Sequence, residues 1–245
     1  MTWLSFATVG FLLMGLVACS STPTKPNPTA LTDFKPQLSI SKVWSLQIGP
    51  ISPNSNAPLS HNITEGRMAL VTGSGLVVLL DAETGAESWR LALNTPVAAG
   101  IGGDGQRFAV ISQANELIAI SNAKVLWRVK LPASAFTSPL VAGGRVFVLM
   151  ADRTVMAFDG ASGQRLWSQQ RAGDPLVLKQ AGVLTSFQDR LMVGLSGRLV
   201  AMNPANGVAM SELSIGASRG TNEVERLVDL VAGVSRVNNV ICARA

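Results

Sequence analysis

Few side chains in this 245-residue sequence could perform catalysis or bind a metal ion. There is one histidine, His61, and the two cysteines, Cys19 and Cys242, lie near opposite ends of the chain. A zinc ribbon or finger needs clustered cysteine and histidine ligands, so the sequence excludes one. No acid or nucleophile recurs at a fixed spacing from His61, so we expect a loop histidine rather than a triad member. Cys242 follows an apolar run, and we expect it to be a small buried residue.

Cys19 has the clearest chemical role, because it directly follows an apolar segment. Residues 3–18 carry no charge, and they are fewer than the roughly 20 apolar residues of a transmembrane helix. Leu16-Val17-Ala18-Cys19 resembles the lipobox of bacterial lipoproteins, in which the cysteine is lipidated after cleavage of the preceding peptide. The resemblance implies a signal peptide over 1–18 and a lipid anchor at Cys19. The alternative is an ordinary secretory signal.

Residues 19–39 form a polar segment with several prolines, which favours an extended tether between a lipid anchor and a folded domain. We therefore expect the folded domain to span residues 40–245. Ser20, directly after the cysteine, resembles lipoproteins that are sent on to the outer membrane. With Cys19 lipidated, Cys242 would have no cysteine partner, which excludes a framework of disulfides.

The overall composition excludes two classes of protein. Hydrophobic residues make up 47% of the chain and charged residues only 14%, which is too apolar for a disordered protein. The net charge of +5 is spread along the sequence, and no basic run with interleaved aromatic residues occurs. We therefore expect no dedicated nucleic-acid binding.

Four tryptophans outside the apolar leader recur about every 40 residues and organise the rest of the chain. They are Trp44, Trp89, Trp127 and Trp167. Two of them end the same pattern, in which an aspartate is followed by a glycine and then by the tryptophan: Asp81-Ala-Glu-Thr-Gly85-Ala-Glu-Ser-Trp89 and Asp159-Gly-Ala-Ser-Gly163-Gln-Arg-Leu-Trp167. Residues 121–127 form a shortened copy, and residues 203–211 form a copy without tryptophan, with its glycine at Gly207.

Two short apolar runs precede each copy, and a short polar turn separates them. Such runs, rich in β-branched residues and bounded by Gly, Asp or Asn, are typical of β-hairpins. An all-β array with a period near 40 residues predicts the four-stranded blades of a β-propeller. We expect Gly85, Gly163 and Gly207 to adopt positive φ in turns, and each tryptophan to lie between neighbouring blades. A β-sandwich with coincidental tryptophan spacing is the alternative.

The repeat resembles the quinoprotein-type (PQQ-like) repeat of eight-bladed propellers. Together with the lipobox and the tether, the sequence looks like the BamB family, the lipoproteins of the outer-membrane β-barrel assembly (BAM) machinery. The segment over 218–229 is similar to the charged loop which that family carries between its fourth and fifth blades. The resemblance implies an all-β propeller of PQQ-like repeats. It also implies an incomplete ring of about four of the expected eight blades, as in a truncated gene product.

The family resemblance implies that the protein is a scaffold without enzymatic activity, metal or cofactor. It would be anchored by lipid to the cell outer membrane, face the periplasm and dock on the POTRA domains of BamA, the barrel-inserting subunit. Unfolded outer-membrane proteins are further candidate partners. The implied contact residues lie in two loops and are Leu176, Leu178, Lys179, Glu225, Arg226 and Asp229. We expect Leu176 and Leu178 to share one face of an extended strand.

The same repeat also occurs in PQQ-dependent quinoprotein dehydrogenases, so a fragment of such an enzyme is the alternative function. That chemistry uses an aspartate base, a carboxylate-rich calcium site and commonly a pair of adjacent cysteines, and no adjacent pair occurs here. Asp81 and Asp159 occupy repeat positions, which favours a role in turns over a role in catalysis.

Overall fold

A computed structural model describes residues 28–29, 38–48, 59–172, 177–217, 219, 221–222, 225, 227–231 and 233–244. Cys19 and the leader before it, and the contact residues Leu176 and Arg226, lie outside this set. Within it, no helix has the length and apolar character needed to cross a membrane. The chain divides into two units, Met1–Ser41 and Lys42–Ala245, and every strand belongs to the second.

Four antiparallel four-stranded sheets follow one another along the chain, each with its strands in sequence order. Blade 1 comprises β1 (Ser60–Thr64), β2 (Arg67–Val71), β3 (Leu76–Asp81) and β4 (Glu87–Ala92). Blade 2 comprises β5 (Val97–Gly103), β6 (Arg107–Ser112), β7 (Glu116–Ser121) and β8 (Lys124–Lys130). Blade 3 comprises β9 (Leu140–Ala142), β10 (Arg145–Leu149), β11 (Thr154–Asp159) and β12 (Arg165–Gln170). Blade 4 comprises β13 (Leu184–Phe187), β14 (Arg190–Leu195), β15 (Arg198–Met202) and β16 (Ala209–Ser214).

A fifth sheet consists of one hairpin, β17 (Ser235–Val237) paired with β18 (Val240–Cys242). The prediction of an all-β propeller built from four-stranded blades is therefore confirmed.

The strands differ in sequence according to their place in the blade. The two middle strands are nearly continuous apolar runs, such as Arg107–Ser112 and Glu116–Ser121 of blade 2, because other blades cover both of their faces. The outermost strand, such as Lys124–Lys130, alternates between exposed and half-buried residues because only one of its faces meets a neighbouring blade. The blades therefore pack face to face, and their outermost strands are the least covered.

The hydrophobic core lies between the blades. The contact between blades 1 and 2 contains Phe108, Ile118 and Ile120, all at most 2% exposed. Phe158 occupies the corresponding place between blades 2 and 3, and Phe147 does so between blades 3 and 4. Each joint therefore combines a phenylalanine and a tryptophan with aliphatic side chains, and burial of this apolar surface stabilises the stack of blades.

Three of the repeat tryptophans make the same contact with the turn of the next blade. The indole Nε1 of Trp44 donates to the carbonyl oxygen of Ala82 at 3.2 Å, that of Trp127 to Gly160 at 3.1 Å, and that of Trp167 to Pro204 at 3.0 Å. In each case the accepting residue directly follows the aspartate or asparagine that begins the turn. Trp127 and Trp167 thus join two blades by a hydrogen bond as well as by packing, and Trp44, which lies before the first strand, joins its segment to blade 1 in the same way.

The ring of each of these tryptophans lies against the glycine of the same turn. A Cβ added at Gly85 would stand 2.5 Å from the Trp44 ring, one at Gly163 would stand 2.7 Å from Trp127, and one at Gly207 would stand 2.6 Å from Trp167. All three glycines have φ between +72° and +74°, which L side chains rarely adopt. Glycine is required here by both the backbone and the indole.

Two expectations from the sequence are wrong. His61 lies in β1, where it pairs with Leu70 and is exposed, rather than in a loop before the first strand. Cys242 is exposed rather than buried. Side chains alternate along β18, so Ile241 packs into the core cluster of blade 4 and Cys242 points to the opposite face. β18 pairs with β17, and nothing in the described residues covers that opposite face.

Candidate functional site

Three connections between successive blades meet, in their described residues, at one end of the propeller. They are residues 131–139 between β8 and β9, residues 171–183 between β12 and β13, and residues 215–234 between β16 and β17. Together with two turns of blades 3 and 4 they line an open cleft, which we call the loop cleft. Its lining residues are Phe136, Thr137, Leu149, Met150, Ala151, Arg153, Val177, Leu178, Gln180, Gly182, Gly194, Leu195, Ser196, Asp229, Leu230 and Val231.

Leu178 and Asp229 come from different connections and are in direct contact. The backbone N–H of Leu178 donates to the Oδ2 carboxylate oxygen of Asp229 at 3.0 Å. Both residues are half-buried at the wall of the loop cleft. A hydrogen bond to an ionised acceptor is stronger than a neutral one, and here it ties two loops together. Asp229 therefore fixes the position of the Leu178 backbone.

The expected strand at Leu178 is absent. Residues 177–183 form no strand, and the first strand of blade 4 begins at Leu184. The physical reason is the bond to Asp229: the Leu178 N–H bonds to a side chain from another loop and is not available to a neighbouring strand. The sharing of one strand face by Leu176 and Leu178 is therefore not the geometry of the described part of this loop.

A second hydrogen bond holds the other end of the same loop. The N–H of Gly182 donates to the hydroxyl Oγ1 of Thr137 at 2.9 Å, and Thr137 is only 7% exposed. The segment from Leu178 to Gly182 is thus fastened at one end to the connection after blade 4 and at the other end to the connection after blade 2. Two backbone N–H groups, satisfied by side chains, hold the loop outside any sheet.

Lys179 is exposed and lies over the aromatic ring of Phe136. Its Nζ stands 5.9 Å from the ring centroid, within the range of a cation–π contact. No carboxylate of the described residues forms an ion pair with Lys179. The lysine therefore presents an unneutralised positive charge beside the aromatic face of Phe136 and the half-buried Leu178.

Glu225 is exposed, and its carboxylate is used within its own loop. It accepts hydrogen bonds from the N–H of Thr221 at 2.9 Å and from the Thr221 hydroxyl at 3.2 Å. The Asn222 side chain in turn accepts the N–H of Glu225 at 2.8 Å. The Thr221 and Asn222 hydrogen bonds hold the pKa of Glu225 below its ordinary value. Glu225 shapes this loop, and no described contact brings it to Leu178 or Lys179.

Sequence reasoning named only Leu178 and Asp229 among the residues that line the loop cleft, and it missed Phe136, Thr137 and Arg153 among others. Arg153 lies in the turn between β10 and β11 at φ +62° and is only 6% exposed, so its charged side chain reaches into the structure. Phe136 and Thr137 lie in a connection whose sequence, Ala135-Phe136-Thr137-Ser138-Pro139, carries no repeat signature. Only the positions of the blades show that the loops after blades 2, 3 and 4 adjoin.

The described residues contain no group of three or more His, Cys, Asp or Glu side chains arranged to hold a metal ion. Asp81 and Asp159, which occupy repeat positions, each accept hydrogen bonds from the residues of their own turn. The carboxylate of Asp81 binds the N–H of Thr84 at 2.8 Å and its hydroxyl at 2.7 Å. That of Asp159 binds the N–H of Ser162 at 2.7 Å and its hydroxyl at 2.8 Å. Both aspartates thus act as turn residues.

The family model and the similar curated proteins indicate the same family. Residues 44–245 match the family model described as outer membrane protein assembly factor BamB. The protein of that name from Bordetella pertussis is 30% identical over 238 residues, which cover 95% of this chain and 61% of the relative. The one from Burkholderia pseudomallei is 32% identical over 231 residues, which cover 92% of this chain and 60% of the relative. The chain thus spans about three fifths of the length of these relatives.

Solved structures agree with the propeller fold. BamB from Moraxella catarrhalis superimposes with a TM-score of 0.67 at 18% identity, covering 81% of this chain and 61% of that one. A europium-containing methanol dehydrogenase reaches a TM-score of 0.51 at 16% identity, covering 66% of this chain and 43% of that one. At such identities both likenesses concern the fold alone.

Proposed function

The chain belongs to the family of the outer membrane protein assembly factor BamB, and from this we propose that it is a non-enzymatic scaffold of the outer-membrane β-barrel assembly complex. The family resemblance noted in the sequence is thereby confirmed. In this proposal the chain docks on the POTRA domains of BamA and assists the insertion of β-barrel proteins. Unfolded outer-membrane proteins are further candidate partners of the same complex.

The observation that supports docking at the loop cleft is the junction of three loops. The side chains of the blade strands pack against neighbouring blades, so the loops at the ends of the propeller are the parts that can contact a partner. Here Leu178, Lys179 and Phe136 adjoin at one such end, where they combine apolar surface with one unneutralised positive charge. A partly apolar patch with few charges and an aromatic residue at its centre is typical of protein interfaces.

Within this patch we assign different roles to the residues. Leu178 and Leu176 would be the apolar anchors, and Lys179 with Arg226 would set orientation and association rate. Asp229 would act as a positioning residue, because its carboxylate already accepts the Leu178 N–H. Glu225 would act in the same indirect way, because Thr221 and Asn222 use its hydrogen-bonding groups.

Substitution of Leu178 tests the docking site. Leu178→Ala, alone or with Leu176→Ala, is expected to weaken binding to isolated POTRA domains by about tenfold or more, as truncation of a central anchor does. Binding would be measured by calorimetry and by co-purification with BamA. Leu213→Ala is the matched control, because Leu213 is 62% exposed on β16 and takes no part in the loop cleft. Equal binding by both variants at equal folded fraction would reject the site.

Two substitutions of Asp229 separate positioning from direct contact. Asn keeps an acceptor for the Leu178 N–H and removes the charge, whereas Ala removes both. A positioning role predicts that Asp229→Asn binds nearly as well as the unaltered chain and that Asp229→Ala binds several-fold more weakly. Equal loss in both variants would instead assign the carboxylate to a charge contact with the partner.

The lipid anchor is proposed at Cys19, in a segment outside the described residues. Cys19→Ala should abolish incorporation of labelled palmitate and leave the product either soluble in the periplasm or uncleaved. Ser20→Ala serves as the matched control, because it alters the neighbouring residue and leaves the thiol. Palmitate labelling that survives Cys19→Ala would reject the lipoprotein assignment without bearing on the docking site.

A further inference from the structure

Every complete blade begins its second strand with an arginine. Arg67 begins β2, Arg107 begins β6, Arg145 begins β10 and Arg190 begins β14. The strand pairing places Arg67 opposite Asp81 and Arg145 opposite Asp159, so these arginines lie at the end of the blade that carries the aspartate turns. This end is opposite to the loop cleft, because consecutive turns of an antiparallel blade alternate between its two ends.

The first two arginines of the series contact the next blade. The Nη1 of Arg67 donates to the carbonyl oxygen of Gly105 in blade 2 at 2.8 Å. The guanidinium of Arg107 lies against Gly160 of blade 3, where an added Cβ would stand 2.5 Å from its Nη1. The charge of Arg107 also contributes to the low pKa of Asp159. In these two joints the arginine reaches the next blade, and Arg67 forms a hydrogen bond there.

Arg145 stands at the corresponding place between blades 3 and 4, but there the joint is open. An open pocket, which we call the inter-blade pocket, is lined by Leu140, Phe147, Leu191 and Pro204 together with Arg145. The Nε of Arg145 is inaccessible to solvent and has no hydrogen-bond partner among the described residues. A buried donor without a partner is costly, so an acceptor in the pocket toward which the guanidinium can turn would be favoured.

The charges around the inter-blade pocket are unbalanced. Arg190 and Asp189, from the turn between β13 and β14, line it together with Arg145. No ion pair within the described part of the chain involves any of the three. Two arginines against one aspartate leave one net positive charge beside apolar walls. The planar guanidinium binds oxyanions through pairs of parallel N–H groups.

We propose that the inter-blade pocket binds an anionic amphiphile, with a phosphate head group between Arg145 and Arg190 and an apolar body against the half-buried Leu140 and Pro204. A phosphate monoester is favoured over a carboxylate because it presents three oxygen atoms and nearly two negative charges to the two guanidinium groups, whereas a carboxylate presents two oxygen atoms and one charge. The inter-blade pocket is separate from the docking surface, so this proposal can be tested independently of the proposed function.

Titration with octyl phosphate tests this proposal on the folded chain. The Nε1–H of Trp167 donates to Pro204, which lines the pocket, so its NMR resonance reports occupancy, and the Trp44 resonance serves as an internal reference. We expect octyl phosphate to shift the Trp167 signal and to bind at least tenfold more tightly than inorganic phosphate, octanol or octanoate. Equal affinity for octanoate would overturn the preference for phosphate.

Arg145→Gln and Arg190→Gln should each weaken octyl phosphate binding at least tenfold. Arg165→Gln is the matched control, because Arg165 is an exposed arginine of β12 that does not line the pocket. Vesicles of phosphatidylcholine with a quarter phosphatidylglycerol distinguish a membrane source from a free ligand. Arginine-dependent co-sedimentation would place the head group in a membrane, and octyl phosphate binding without it would place the ligand in solution. Absence of both, or binding unchanged by both pocket substitutions, would overturn the proposal.

Discussion

The joint that Trp89 makes with blade 2 differs from the joints made by Trp44, Trp127 and Trp167. The latter three donate an indole N–H to the turn of the next blade and cover its glycine. Trp89 has no such hydrogen bond among the described residues, and instead meets Phe108 edge-on with ring centroids 5.9 Å apart. Trp89 therefore contacts blade 2 by aromatic packing, without the indole hydrogen bond that the other three tryptophans form.

The cause of this difference lies in the turn of blade 2 and not in Trp89. Ser121 pairs directly with Lys124, so the turn between β7 and β8 has only two residues, Asn122 and Ala123. Both have positive φ, 49° and 58°, as in the tight hairpin turns that suit twisted strands. Such a turn has no room for the carbonyl and the glycine that the longer turns offer. The tryptophan joint thus depends on two blades. One supplies the tryptophan and the next supplies the turn with its glycine, and either part can change without the other.

Removal of the indoles should give the largest loss of stability, and the size of each loss should rank the joints by strength. Trp127→Ala and Trp167→Ala are each expected to lower the free energy of unfolding by about 3–5 kcal/mol, as loss of large core side chains does. Trp89→Ala should cost about 1 kcal/mol less, since no hydrogen bond is lost with it. Urea melts with unchanged slopes would measure the three values. Equal losses at Trp89 and Trp127 would show that packing alone sets the strength of the joint.

The glycine half of the joint is tested next. Gly163→Ala would place a methyl group 2.7 Å from the Trp127 ring on a backbone with φ +74°. Strain in this region costs about 1–3 kcal/mol, and the displaced indole adds to it. We expect a loss of about 2–3 kcal/mol in a urea melt. Gly143→Ala is the control, because Gly143 has a positive φ of 57° but no atom within 4 Å of an added Cβ. Equal losses would assign the effect to the backbone alone.

The repeat made much of the fold predictable from the sequence. The Asp81 and Asp159 copies carry the aspartate, the glycine and the tryptophan at fixed offsets, and these offsets determine a turn whose geometry depends on local contacts only. The blades follow because apolar runs of four or five residues recur around each copy. A structure that repeats in sequence is repeated in space, so one correctly interpreted copy predicts the others.

The loop cleft was less predictable, because its contacts join segments that are distant in sequence and carry no repeat. The Leu178 N–H finds its acceptor in Asp229, and the Gly182 N–H finds its own in Thr137. Neither pairing leaves a local pattern, and a short apolar run such as Val177-Leu178 is easily interpreted as a strand. Cys242 shows the same limit, since the face it occupies depends on what covers β18.

A smaller and opposite effect is expected in the short turn of blade 2. Ala123 adopts φ +58°, which costs alanine about 1–2 kcal/mol relative to its preferred conformations. Glycine removes that cost but loses about 0.4–1 kcal/mol through its more flexible unfolded chain. Ala123→Gly should therefore stabilise the protein by about 0.5 kcal/mol, measured as a higher urea midpoint. A lower midpoint would show that the half-buried methyl group of Ala123 makes a packing contact worth more than the strain.

The smallest expected effect is a pH dependence of the stability of single turns. It is expected in blades 1 and 3 and not in blade 4. Hydrogen bonds from Thr84 hold the pKa of Asp81 below its usual 3.8, and those from Ser162 do the same for Asp159. In blade 4 the same place is taken by Asn203, whose Oδ1 accepts the N–H of Ala205 at 2.8 Å and which does not titrate. Blade 4 is therefore an internal control for a similar turn without a charge.

A lowered pKa in the folded state means that the aspartate contributes stability above pH 3.8 and that this contribution is lost as the pH falls through the lowered pKa. Hydrogen-exchange protection at the Thr84 and Ser162 amides, corrected for the intrinsic rate, should thus fall as the pH is lowered below 3.8. Protection at the Ala205 amide should stay constant. Asp159→Asn should remove the pH dependence at Ser162 and leave it at Thr84. A parallel loss at Ala205 would mean that acid opens the whole propeller, because a turn that cannot titrate responds only to the blades around it.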